Sequence, residues 1–177
     1  MKAFDFTLKF AFLDSSAEAD EYIEKLGEAG CDDAIIGIGQ KGRIALHFTR
    51  EADNAFEAIV SAISDVKGVI PHAKLVEAIP DLVGLSDIAE LLGFTRQNMR
   101  KLMITYSQSF PPPVHEGQTS IWHLSNILQW FELKQHRPID SSIKEVALVN
   151  MQVNIAKENA SSDSSYQSRL STLSLLA

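Results

Sequence analysis

The sequence predicts an α+β protein, with a sheet-forming first half and a mostly helical second half. Three observations carry this. Apolar residues alternate at period two near the start, at Phe4, Phe6, Leu8, Phe10 and Phe12. Two stretches of helical spacing interrupt the strand patterns of the first eighty residues. Beyond them, GLSDIAELLGFTRQNMRKLM (84–103) reads as two short helices about a tight Gly turn.

Taken in order, Asp5, Thr7, Lys9 and Ala11 fill the alternate positions of the first strand, which leaves it one buried face. Asp14 or Ser15 then caps a helix striped by Ala19, Tyr22, Ile23 and Leu26, and Gly27 and Gly30 close it. Ala34–Ile38 is the second strand. Gln40-Lys-Gly42 turns into the third, Arg43–Thr49, whose Ile44, Leu46 and Phe48 face inward. A second helix places Phe56, Ile59, Ile63 and Val66 on one side and ends near Lys67-Gly68. Pro71 precedes a last strand, Lys74–Ile79. The order βαββαβ is that of the ferredoxin-like split motif, so residues 1–80 are expected to form such a domain, with two helices on one sheet face.

Two ligand readings of this domain fail on their own terms. Gly37-Ile-Gly39-Gln-Lys-Gly42 matches G-x-G-x-x-G, but a dinucleotide site needs a helix after the glycines, and here a strand follows. An RNA-recognition sheet stacks bases on aromatics of its open face. The strand aromatics here share the parity of Leu8, and the other face offers Asp5, Thr7, Lys9, Ala45, His47 and Thr49. A docking or sensing surface for a protein partner or effector is what remains.

In residues 81–137, Ile88, Leu91 and Leu92 recur at helical spacing, Gly93 stops the first helix, and Thr95 caps a second running through Met99, Leu102 and Met103. The outward residues Arg96, Gln97, Asn98, Arg100 and Lys101 all donate hydrogen bonds, as a helix in a DNA major groove requires. Phe110-Pro-Pro-Pro-Val114 cannot continue a helix. His115–Gln118 reads as a turn, Thr119–Trp122 as a short strand, and Leu124, Ile127, Leu128 and Phe131 as one face of a helix.

At Ile88-Ala-Glu-Leu-Leu-Gly-Phe-Thr-Arg-Gln97, Phe110-Pro111, Trp122 and Trp130, the chain resembles the winged helix-turn-helix of MerR, AlpA and excisionase-type regulators. The resemblance spans residues 82–134, about a third of the chain. It implies a double-stranded DNA reader, with Thr95, Arg96, Gln97, Asn98, Arg100 and Lys101 on the recognition helix and His115, Gln118 and Thr119 on the wing. Many members carry a basic residue directly after the wing tryptophan, where this chain has His123.

The net charge is −7, but it is unevenly placed. Residues 1–80 carry 8 Lys+Arg against 14 Asp+Glu, whereas 81–137 carry 5 of each and 138–177 carry 3 against 4. A neutral reader makes few phosphate contacts, so two copies are expected to act together. Residues 138–160 supply a helix from Ser141 or Ser142 to about Asn159, in which Ile143, Val146, Asn150 and Val153 follow a 3-4-3 spacing. Such a seam either pairs with a second copy, the Asn fixing register, or packs back on its own chain. The resemblance favours the homodimer, since MerR-like regulators pair through a helix after the reader.

Residues 161–177 hold seven serines and are expected to be flexible or partly helical, with Leu173, Leu175 and Leu176 exposed for a partner or a protease. The single cysteine, Cys31, beside a strand reads as core, and the five histidines lack a ligand spacing. No metal, cofactor or catalytic constellation is expected. No apolar run reaches the ~20 residues that span a bilayer, and the alternating N-terminus is no signal core. The expectation is a cytoplasmic, sequence-specific transcriptional regulator. The alternative is an antitoxin-like adaptor whose first domain holds a partner protein and whose DNA binding only autoregulates.

Overall fold

A computed structural model describes residues 1–14, 19–37 and 39–173. The mixed α+β class holds, with an antiparallel sheet of order β2-β3-β1-β4. Its strands are β1 (Lys2–Ala11), β2 (Ala34–Gly37), β3 (Arg43–Ala52) and β4 (Lys74–Ile79). The central pair β1–β3 runs in register from Lys2 opposite Ala52 to Ala11 opposite Arg43. Period two does what it promised: Phe4, Phe6, Leu8 and Phe10 are buried and meet Ile44, Leu46 and Phe48 in one core. Phe6 and Phe48 stack with ring centroids 5.2 Å apart. Each such ring contributes roughly 1.5–3 kcal/mol by leaving water.

The helix expected after the first strand is broken. A 3₁₀ turn (Ala19–Tyr22), one α turn α1 (Ile23–Leu26) and a π turn (Gly27–Cys31) follow one another. Residues 15–18, where Ser15 would cap it, lie outside those described, as does Ile38 at the end of the second strand. Gly30, at φ 103°, supplies the left-handed kink that ends the run. Cys31 is buried, and that burial, helped by the nearby Asp65 carboxylate, pushes its thiol up to about 11.

The second helix, α2 (Ala55–Val69), buries Ala55, Ala58, Ile59, Ala62 and Val66. The expectation for Phe56 is corrected, because that ring is 57% exposed. The true stripe runs through alanines one position away, and small side chains let the helix lie close on a sheet already full of phenylalanine rings.

The rest comprises α3 (Leu85–Leu91), α4 (Arg96–Thr105), α5 (Leu124–Lys134), α6 (Ser141–Ala160), α7 (Ser164–Leu170), and a small ribbon of β5 (Leu82–Val83) with β6 (Trp122–His123). The wing strand expected at 119–122 is therefore displaced by a few residues. Its tryptophan pairs with the extended segment leading out of the sheet, and only an isolated bridge, His115 to Ile121, joins the two arms of the loop.

The largest correction concerns α6. It lies against β1, β4, α2 and α5, covering the sheet face that two helices alone were expected to cover. Val146 belongs to the sheet core, and Ala147, the next residue, to a second core built from Ile88, Met99, Trp122, Trp130 and Phe131. The expected dimer seam is thus filled within the chain: Val146 and Asn150 are buried and Val153 packs on the sheet core. Ile143, at 37% exposed, is the one seam residue left largely open. Two buried asparagines of α6, the seam's Asn150 and its neighbour Asn154, serve the joint. Asn154 Nδ2 donates to Ala78 O and Asp81 Oδ2, its Oδ1 accepts from Ala78 N, and Asn150 Nδ2 donates to Pro80 O.

Within the serine-rich end, α7 is exposed along its length and so is Leu173, while Leu175 and Leu176 lie outside the described residues. Among the described residues, no helix is long and apolar enough to cross a membrane.

Candidate nucleic-acid interface

The candidate site is built on the α3–α4 pair. Gly84 N–H donates to Asp87 Oδ2 (2.8 Å) and opens α3. At its end Gly93 adopts φ 69°, while Gly93 N–H and Phe94 N–H bond back to Glu90 O and Ala89 O. The chain can then restart at Thr95, whose Oγ1 accepts from Asn98 N–H at 3.1 Å and caps α4. Arg137 braces this turn from outside the pair. Its Nη2 donates to Leu92 O (2.6 Å) and its guanidinium lies 4.6 Å from the centre of the Phe94 ring. Sequence reasoning missed Arg137; its only signal is a cation placed just after an amphipathic helix and before Pro138.

Helix α4 buries Met99 completely and packs Leu102 and Met103 against the same core. With 3.6 residues per turn, Gln97 and Lys101 then lie opposite Met99, flanked by Asn98 and Arg100. Arg96, Gln97, Asn98, Arg100 and Lys101 are all exposed. Among the described residues Arg96, Arg100 and Lys101 enter no ion pair. So Gln97, Asn98, Arg100 and Lys101 share an outward, uncommitted surface, Arg96 is exposed beside it at the first turn, and Thr95 is exposed but spends its hydroxyl on the cap.

His115, Gln118 and Thr119 sit exposed on a separate loop. Val114 N–H donates to Ile121 O (2.8 Å) and Ile121 N–H to His115 O (3.0 Å), which closes the loop at its base. At Gly117 a Cβ would stand 2.8 Å from His115 Nε2, so a larger residue there would push the exposed His115 ring aside. An aromatic cluster fastens the loop to the helices. Phe110 meets Trp122 and Trp130 edge-on at 6.0 and 5.0 Å, Trp122 Nε1 donates to Pro111 O, and Trp130 Nε1 donates to Ser109 Oγ.

His123 turns inward instead of outward. Its Nδ1 stands 2.6 Å from Asp81 Oδ1, and Asp81 is 1% exposed. That ring nitrogen is therefore taken. Among the described residues, no group of three or more His, Cys, Asp and Glu side chains could hold a metal ion.

On the sheet's open face, Thr49 Oγ1 donates to Asp5 Oδ1 (2.7 Å), Lys9 pairs with Glu77 (3.1 Å), and Thr7 meets His47 Nδ1 at 3.0 Å. Those polar groups are satisfied by one another. Comparison with family models, curated proteins and solved structures finds no match to this chain.

Proposed function

We propose that the chain is a sequence-specific double-stranded-DNA-binding transcriptional regulator of the cytoplasm. In this reading the sheet unit is ferredoxin-like, and residues 82–134 form a winged helix-turn-helix of the MerR, AlpA and excisionase type. The observation that carries it is the exposed surface of α4, where two guanidiniums, an ammonium and two carboxamides stand on a helix anchored by Met99, and its three cations have no carboxylate partner among the described residues. Carboxamides and guanidiniums are the groups that bond adenine and guanine edges in the major groove, and Lys101 or Arg100 suits a phosphate. Pairing of two copies on one site needs a surface outside the filled α6 seam.

Selection of bound sequences from random duplex DNA, at a stated salt concentration, tests this. One short enriched motif is the expected result. Binding without enrichment, lost on modest addition of salt, would leave only non-specific attraction and reject sequence reading.

An adaptor reading has one observation in its favour: Ile35 is 75% exposed on β2, the short edge strand. An open edge can accept a strand from a partner protein. That reading predicts a second protein in stoichiometric complex when the chain is purified from its cells, and loss of that protein on Ile35→Lys.

A further inference from the structure

The four-stranded sheet has two edges, β2 and β4, and the fold treats them differently. On β4 the outward backbone groups are taken by side chains of α6. Asn154 Oδ1 accepts from Ala78 N–H, Asn154 Nδ2 donates to Ala78 O, and Lys157 Nζ donates to Val76 O. Pro80, just past the strand, has no N–H to offer. That edge is closed to another strand.

Among the described residues no strand pairs with the outer side of β2. Thr49 N–H donates to Asp33 O (3.1 Å), so Asp33, Ile35 and Gly37 turn their backbone groups toward β3. Ala34 and Ile36 therefore direct theirs outward. The strand has no charge, no proline and no bulge, which are the features that protect an exposed edge. Ile35 stands 75% exposed on the sheet's open face, opposite His47. The strand also has an acidic end and a basic one: Asp32 is exposed just before it, and Lys41 and Arg43 just after.

We propose that β2 pairs with β2 of a second copy of this chain, antiparallel about a two-fold axis through Ile35. Ala34 of each copy then faces Ile36 of the other, and each of these two pairs exchanges two backbone hydrogen bonds. Moving the axis to Ala34 or Ile36 leaves one such pair within the strand, so the outward groups themselves choose Ile35. Ile35 falls at the position without backbone bonds, where facing Cβ atoms come within about 4.5–5.5 Å, and meets its own counterpart. Antiparallel pairing also sets Asp32 of each copy beside the Lys41–Arg43 turn of the other. The strand is thus its own complement in register and in charge, which favours a second copy over a foreign strand. Because α6 closes β4, association stops at two. The contact is short, so a dissociation constant on the order of 10 μM is expected.

The pairing does not rest on the DNA reading, and its test uses no DNA. Sedimentation of the full-length chain from about 1 to 200 μM should show a monomer–dimer equilibrium. Ile35→Lys sets two ammoniums face to face, and should weaken association at least tenfold while leaving thermal unfolding unchanged. Ile35→Cys should be trapped as a disulfide-linked dimer by oxidised glutathione, since facing Cα atoms about 4.5 Å apart suit that bond. Gly37→Cys is the control, because it is exposed on the same face but lies far from its own counterpart across the axis. The native Cys31 is buried and does not compete. The proposal is overturned by a chain that stays monomeric over the whole range, by a dimer that Ile35→Lys leaves intact, or by equal linking at Ile35 and Gly37. A foreign protein held in stoichiometric complex and released by Ile35→Lys would overturn it in favour of the adaptor reading.

Discussion

Two arginines in this chain face opposite circumstances. Arg50, near the end of β3, is 7% exposed, and its guanidinium is bound by Asp33 (2.8 Å), Asp65 (2.7 Å), Ser61 and the Gly30 carbonyl. Arg100, on α4, is exposed and enters no ion pair among the described residues. The first is spent on architecture, since it ties β3 to the π turn and to α2. The second holds no such contact among the described residues and stands in solvent. Lys2 and Lys9 on β1 also pair with carboxylates, whereas among the described residues none of the cations on α4 does.

Several substitutions probe that contrast, beginning with the joint that lets both regions fold together. Asn154→Ala removes three hydrogen bonds and strands the Ala78 backbone and the Asp81 carboxylate in a buried place. Its expected cost is about 4 kcal/mol, at roughly 1–3 kcal/mol per orphaned group. Chemical denaturation should show both cores losing stability at once. Two separate transitions, with only one shifted, would mean that α6 does not couple them.

Arg50→Met comes next. It leaves Asp33 and Asp65 facing each other and should cost about 3 kcal/mol of stability, while DNA affinity per folded molecule stays the same. By contrast, Arg100→Ala and Lys101→Ala should change stability by less than about 0.5 kcal/mol. Each should weaken binding to all duplexes alike and lower the slope of log affinity against log salt by about 1. Were Arg100→Ala to destabilise the fold as Arg50→Met does, the distinction between spent and free cations would collapse.

The smallest effect belongs to Phe56→Ser. An exposed ring beside the buried alanine stripe should cost under about 0.5 kcal/mol, against about 3–5 kcal/mol for Phe48→Ala, and paired melting curves would show it.

These cases also show what the sequence could reveal. Strand β1 was legible because one buried face forces strict alternation, and the Phe residues obey it. The outer face of α4 was legible because Gly93 and Thr95 punctuate the helix pair and Met99 sets its phase. Phe56 misled because a large apolar side chain outweighs alanines in any stripe, although close packing on a crowded sheet favours the alanines. Arg50 carried no local signal, since its partners lie 15 and 17 residues away and meet it only in the fold. The seam on α6 was a true apolar face, but a face does not name its partner. Asn150 reads in the sequence as a register-setting polar residue for a second copy, and together with Asn154, which carried no such signal, it fixes α6 on its own chain instead.

The central claim is that the outer face of α4 reads bases, and one measurement tests it most directly. Sequence selection is run side by side on the unaltered protein and on the Gln97→Ala and Asn98→Ala variants, with equal thermal stability confirmed first. The account predicts that each variant loses preference at one or two positions of the motif, at about 1–3 kcal/mol per lost base contact, while its affinity for unrelated duplex is unchanged. An identical motif at identical affinity from all three proteins would contradict it and place the reading surface elsewhere.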